Sequence, residues 1–229
     1  MILDVRRLLD EKKYALLRDF LCSKEAADIA LLFEQFPKEE IPLMFRILQK
    51  DFATDVFVEM DRDLQKALIE AFTDQELFEV FDDLFMDDTV DIIEEMPANV
   101  VKRILRHTTP QKREKINQLL QYKEDSAGTI MTTEFVNLKA DMTCAQAFDS
   151  IRKTGLEKET VYTCYVTDGK RILMGVVTVK DTIMAGNDAR IGDIMEKNPV
   201  YVYTDDDKED VMKAITKYDF LAMPVTDRE

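Results

Sequence analysis

The second half of the chain repeats itself. Ile130-Met131 returns as Ile194-Met195, and the same offset then holds without a gap. Glu134-Phe135-Val136 falls on Asn198-Pro199-Val200, Ala140-Asp141 on Thr204-Asp205, and the run Ala147 to Ile151 on Val211 to Ile215. A strand, an acidic turn and an amphipathic helix therefore occur twice, which confines this half to tandem α/β modules. In the first copy two β-rich runs follow, Val161 to Val166 and Gly175 to Val179, the second overlapping Thr178-Val179-Lys180-Asp181. The second copy reaches only one such strand, Leu221 to Val225, before Glu229. The sequence thus reads as a piece of something longer.

The first half has a different texture. No glycine precedes Gly128, and up to about Tyr122 the apolar residues recur at helical spacing in short segments. Capping chemistry supplies the punctuation. Thr73-Asp74-Gln75-Glu76 is a capping box, and Thr109-Pro110 sets a hydroxyl at the cap and proline at the first helical position. Pro37 and Pro97 are expected to begin helices in the same way. Asp28 to Pro37, Asp55 to Asp61 and Asp91 to Pro97 each open with Asp, run through apolar residues and end in a breaker or cap. Short helices recurring like this predict a small superhelical stack. The fold class is therefore multi-domain α plus α/β, an all-α superhelical domain followed by α/β modules.

Charge narrows the partners. The chain holds 46 acids against 31 bases, a formal net charge of −15, which excludes nucleic acid as a direct partner. Cys22, Cys144 and Cys164 are odd in number and far apart in sequence, the pattern of reduced thiols in the cytosol. The single histidine, His107, reads as a surface residue at a helix end. The N-terminus lacks the apolar core of a signal peptide, and no apolar run approaches the ~18 residues a membrane span needs. No nucleophile elbow, P-loop or histidine-containing pair is present, so the chain is not expected to be an enzyme.

The acids are clustered. Between Lys66 and Lys102 there is no base but there are eleven acids, among them Asp87 and Asp91, one helical turn apart. A second cluster runs Asp205, Asp206, Asp207, Glu209 and Asp210, followed by Asp219. A solvated face is the plain reading. The alternative is that the two clusters meet and Mg²⁺ relieves their repulsion. Carboxylates are hard oxygen donors, and Mg²⁺ keeps several waters, so one or two per ion suffice.

The duplicated pattern resembles a tandem CBS (cystathionine β-synthase-type) module. The resemblance lies in Ile130-Met131-Thr132-Thr133, the run Gly175 to Asp181, and the run Tyr218 to Val225. The junction Tyr122 to Met131, joined to an acidic helical stack, resembles the MgtE family of magnesium transporters. The resemblance covers essentially the whole chain. One departure is Thr129, where relatives commonly carry a second glycine that brings backbone close to a metal.

The resemblance divides the chain into an acidic helical domain (1–125), a first CBS domain (126–189) and a second, incomplete one (190–229). It implies the cytosolic Mg²⁺-sensing part of a transporter of the cell membrane, in which bound Mg²⁺ favours a compact state that closes a C-terminal transmembrane pore. Its metal ligands fall on Asp87, Asp91, Asp207, Glu209 and Asp219. It also implies an adenine nucleotide such as ATP, with Asp181 on the ribose hydroxyls, Thr178 near a phosphate and Phe220 stacked on the base. A homodimer through the CBS half is the expected assembly, and a tether at Asp125-Ser126-Ala127-Gly128 is the expected hinge. Two alternatives stand beside this reading: a free-standing nucleotide-sensing CBS protein, and a helical interaction scaffold.

Overall fold

The computed structural model describes residues 1–228, so the second CBS assignment runs one residue past the described chain. The chain divides into two compact units, one of residues 1–84 and 88–116, the other of residues 85–87 and 117 onward.

The first unit is all helix: α1 (Ile2–Asp10), α2 (Tyr14–Leu21), α3 (Ala26–Phe33), α4 (Ile41–Ile47), α5 (Lys50–Glu59), α6 (Arg62–Ala71), α7 (Asp74–Asp83), α8 (Met86–Glu94) from Asp88 on, α9 (Ala98–His107) and the start of α10 (Pro110–Leu119). Helices pack on their next-but-one neighbours. α3, α5, α7 and α9 form one row, and α2, α4 and α6 the other. This two-row alternation is a superhelical stack, as the short capped segments predict. Each helix is too short to hold itself up in water, so stability comes from its apolar stripe. Ile29, Phe33, Val56, Phe57, Leu77 and Phe81 are all but fully buried, and the rings of Phe45, Phe57 and Phe72 meet at 5.3–6.2 Å.

The caps are mostly where the sequence puts them. Thr73 and Glu76 satisfy each other's backbone amides at the start of α7, and Thr109 Oγ1 accepts from Lys112 N at 3.2 Å. The prolines differ. Pro97 is the residue before α9, and Pro37 opens a turn closed by Glu40 N to Pro37 O, with α4 beginning only at Ile41. Both prolines lie outside the helices they were expected to open.

The second unit holds two α/β modules. In the first, β1 (Phe135–Leu138) runs parallel to β2 (Thr160–Thr167), and β2 antiparallel to β3 (Leu173–Thr178). Cys164 lies between Val136 and Val177 in register, and Val166 between Leu138 and Gly175. The alternation of these strands turns Val136, Leu138, Cys164, Val166 and Val177 onto one core with α11 (Cys144–Thr154). Burial pushes the Cys164 thiol up to about 11, so it is a core side chain and not a nucleophile. α12 (Val179–Ala185) and α13 (Ile191–Ile194) follow.

The second module is shorter. β4 (Val202–Tyr203) runs parallel to β5 (Val225–Thr226), with α14 (Lys208–Tyr218) between them. The expected strand from Leu221 is a strand only at its end. Leu221 is almost wholly exposed and Pro224 has no N–H, so pairing starts with Val202 N donating to Pro224 O.

The junction is the clearest difference from expectation. Ser126, Ala127 and Gly128 are buried, and Ala127 N and Gly128 N donate to Asp206 O and Thr204 O at 2.7 and 2.9 Å. Lys208 N donates to Asp125 O at 2.9 Å. The segment read as a flexible hinge is built into the second module and is no tether.

Candidate ligand cavity and acidic surfaces

A cavity of about 610 Å³ opens in the second unit, within the range usual for small-molecule sites. One wall comes from β2, β3 and α12, the other from Pro199, Val200, residues 219–222 and Pro224, so both repeats contribute. The second wall is made by how α14 ends. Asp219 takes the left-handed conformation (φ 54°, ψ 42°), which Asp tolerates better than most residues. Phe220 N then bonds back to Ile215 O at 3.1 Å, and the Tyr218 and Phe220 rings stack at 5.4 Å.

Of the residues expected to hold a nucleotide, Thr178 and Phe220 line this cavity and Asp181 does not. Thr178 and Asp181 form a capping box on α12. Asp181 Oδ2 accepts from Thr178 Oγ1 at 2.6 Å, and Asp181 N donates back to Thr178 Oγ1 at 3.1 Å. The Thr-x-x-Asp motif therefore has a structural task at the end of β3. Tyr162, Ile183, Met184 and Glu196 line the cavity as well and were not singled out from the sequence. The only hint of them was Ile183-Met184, two adjacent apolar residues just before Gly186.

The expected metal ligands lie on two helices. Asp87 and Asp91 are one turn apart on α8, with Asp91 ion-paired to Arg62. Asp207 caps α14, its Oδ1 accepting from Glu209 N at 2.8 Å. Asp219 sits at the opposite end of the same helix, roughly 18 Å away at 1.5 Å per residue, so it cannot share an ion with Asp207. Among the described residues no three His, Cys, Asp or Glu side chains form a metal-holding group. What the structure offers is pairs of carboxylates.

The acids are also less isolated than the lysine-free interval suggests, because bases from outside it reach in. Arg46 pairs with Glu76 at 2.5 Å, Lys50 with Asp83 at 2.8 Å, and Arg103 with Asp74 at 3.0 Å. Arg62 holds Glu95 at 3.0 Å in addition to Asp91. His107, in the last turn of α9, lies 3.3 Å from Asp74. In the second cluster Arg228 pairs with Asp205 and Lys213 with Asp210. The Arg46 guanidinium holds the Glu76 carboxyl down to about 2. Repulsion within each cluster is thus partly relieved locally.

Comparison with known proteins agrees with this architecture. The MgtE intracellular N domain family matches residues 24–125, and the CBS domain family residues 127–187 and 191–229. A magnesium transporter MgtE of Thermus thermophilus is 30% identical over 233 aligned residues, which cover 100% of this chain and 52% of that protein. An MgtE of Enterococcus faecalis is 42% identical over 112 residues, 49% of this chain and 25% of that protein. The chain spans about half the length of the Thermus relative. A crystal structure of the cytosolic domain of the Mg²⁺ channel MgtE in complex with ATP superposes with a TM-score of 0.93 at 29% identity, covering 100% of this chain and 93% of that one. With an MgtE intracellular N domain followed by CBS domains, and likeness along its whole length, the chain belongs to the MgtE family of magnesium transporters.

Proposed function

We propose that this chain is the cytosolic regulatory part of a magnesium transporter, in which Mg²⁺ bound by the acidic faces of the helical and CBS domains favours a compact, pore-closing state. The pore itself would belong to a C-terminal membrane domain. Among the described residues no helix is long and apolar enough to cross a membrane. The observation that carries the reading is the pairing of carboxylates at short spacings on two helices. Asp87 and Asp91 lie on one turn of α8, and Asp207 caps α14 with Glu209 in its first turn. Sets of this size suit an ion that retains most of its waters. At Asp91 the metal would compete only with a surface ion pair, worth about 0–1 kcal/mol.

Small-angle scattering in MgCl₂ and in NaCl of equal ionic strength tests this. Monovalent salt screens charge but does not bridge two carboxylates. The radius of gyration should fall only with millimolar Mg²⁺, and the fall should weaken in the Asp87→Ala/Asp91→Ala variant. Equal behaviour in the two salts would leave the acids as a solubilising surface.

The cavity supports a second effector, an adenine nucleotide. The relative whose structure superposes on this chain was solved with ATP, and Thr178 and Phe220 line the cavity here. In this reading Phe220 stacks on the base, Thr178 approaches the ligand, and Asp181 offers Oδ1 to the ribose while Oδ2 keeps the cap. A homodimer through the CBS half completes the proposal.

A further inference from the structure

On α8 a metal ion would meet a competitor that the chain itself supplies. Arg62 opens α6, and its guanidinium donates to Asp91 and pairs with Glu95 at 3.0 Å. Neither side of this pair stands where helix electrostatics favours it. A cation at the first helical position meets the positive end of the α6 dipole, and Asp91, in the last turn of α8, meets the negative end of that helix. α8 carries no base in its own last turn. The cation comes instead from a helix 29 residues earlier.

The guanidinium is also braced from within the helical stack. Arg62 Nη1 donates to Gln65 Oε1 at 2.9 Å, and Gln65, fully buried, donates from Nε2 to Phe57 O at 2.8 Å. These bonds order the side chain before it meets a carboxylate, so pairing costs less entropy than at an ordinary surface arginine. The Arg62 side chain is 35% exposed and that of Asp91 63%. A hydrated ion can therefore reach Asp91 from solvent while the arginine stays half-sheltered beside it.

We propose that Arg62 sets the threshold of this site: it is a tethered cation that occupies Asp91 until Mg²⁺ displaces it. The inference rests on the reading of Asp87 and Asp91 as metal ligands. A divalent ion arriving at Asp91 has to break the Arg62 contact or sit beside a positive charge. Either raises the concentration at which it binds. Glu95 gives the displaced guanidinium somewhere to go, because the two are already paired.

Calorimetric titration with MgCl₂, at an ionic strength held constant with NaCl, is the test. Arg62→Gln removes the charge and should lower the Mg²⁺ concentration at half-saturation roughly two- to fivefold, the range of an exposed ion pair. Arg62→Lys keeps the charge and should stay close to the parent. In an Asp91→Ala background the effect of Arg62→Gln should shrink, because the contact it relieves is gone. A purely structural arginine predicts another sign: its loss would loosen the link between α6 and α8 and weaken Mg²⁺ binding or leave it unchanged. Thermal melts without Mg²⁺ check that each variant folds. Half-saturation unchanged or raised in Arg62→Gln, with the parent binding Mg²⁺, would overturn the inference and leave the metal reading intact. If neither the parent nor Arg62→Gln takes up Mg²⁺ at millimolar concentration, the metal reading fails and this inference with it.

Discussion

Glu76 does two jobs with one carboxylate. It closes the capping box with Thr73, and it takes the Arg46 guanidinium, which holds its carboxyl down to about 2. A group whose folded pKa is depressed stabilises the fold above its unfolded value, about 4.5, and that contribution is lost as pH falls toward 2. Because the pair is partly exposed, it is worth about 1 kcal/mol. Glu76→Gln keeps an acceptor for the cap and loses the charge. It should lower stability by about that amount at pH 7 in urea denaturation, and the difference from the parent should vanish between pH 4.5 and 2. The cap was legible from Thr73-x-x-Glu76 alone, because its partners are three residues apart. Arg46 was not, because nothing local ties it to a residue 30 positions on. The same limit applies at Asp181. Its motif fits a cap and a ribose contact equally well, and only the structure shows the carboxylate engaged with Thr178 and outside the cavity lining.

The element scale supplies the rule behind such long-range pairs. Arg6 reaches Glu40, Arg46 reaches Glu76, Arg62 reaches Asp91 and Asp74 is reached by Arg103, over separations of 34, 30, 29 and 29 residues. Two of these bases, and Lys112 with them, also meet helix ends. Arg46 donates to Ala71 O, Arg103 to Ile69 O and Phe72 O, and Lys112 to Asp82 O and Leu84 O. Carbonyls left free at helix C-termini are thus met by cations from elsewhere in the stack. Helix existence was legible because each segment carries its own apolar stripe. Which acids would be neutralised was not, since that depends on the two-row packing. The junction failed for a related reason. Asp125-Ser126-Ala127-Gly128 is short and polar or small, the composition of a linker, yet its amides are held by residues 204 and 206. Gly128 is required there because a Cβ would run into the Tyr122 ring. Gly128→Ala should cost about 1–3 kcal/mol in denaturant unfolding, the usual cost of overpacking. Tyr122→Ala in the same chain should recover part of it, and strictly additive effects would show that the two residues do not clash.

At the scale of the whole molecule, charge and apolar surface pull in opposite directions. The repeat and the order of domains were readable because they are written in residue identity at a constant offset. Self-association depends instead on which apolar side chains stay outside, and that required the structure. In the second unit Leu156, Leu221, Met184 and Tyr162 are 99%, 84%, 77% and 66% exposed. On the amphipathic helix α14, Val211 is buried while Met212 and Tyr218 are exposed. Large apolar side chains exposed in this number suit an interface between copies of this chain. Each copy nevertheless brings a formal charge of −15, and that repulsion acts over a Debye length, about 30 Å at 0.01 M salt and 8 Å at 0.15 M. Association should therefore be weak in low salt and strengthen as NaCl rises, the reverse of an interface held by ion pairs. Sedimentation or light scattering at tens of micromolar should show mass near 26.6 kDa at about 0.01 M NaCl and a shift toward twice that value by about 0.15 M. Met212→Asp/Leu221→Asp should hold the chain at the smaller mass in both. A single 26.6 kDa species at every salt concentration would leave these side chains without a partner copy, and dimerisation through the CBS half would not belong to this chain.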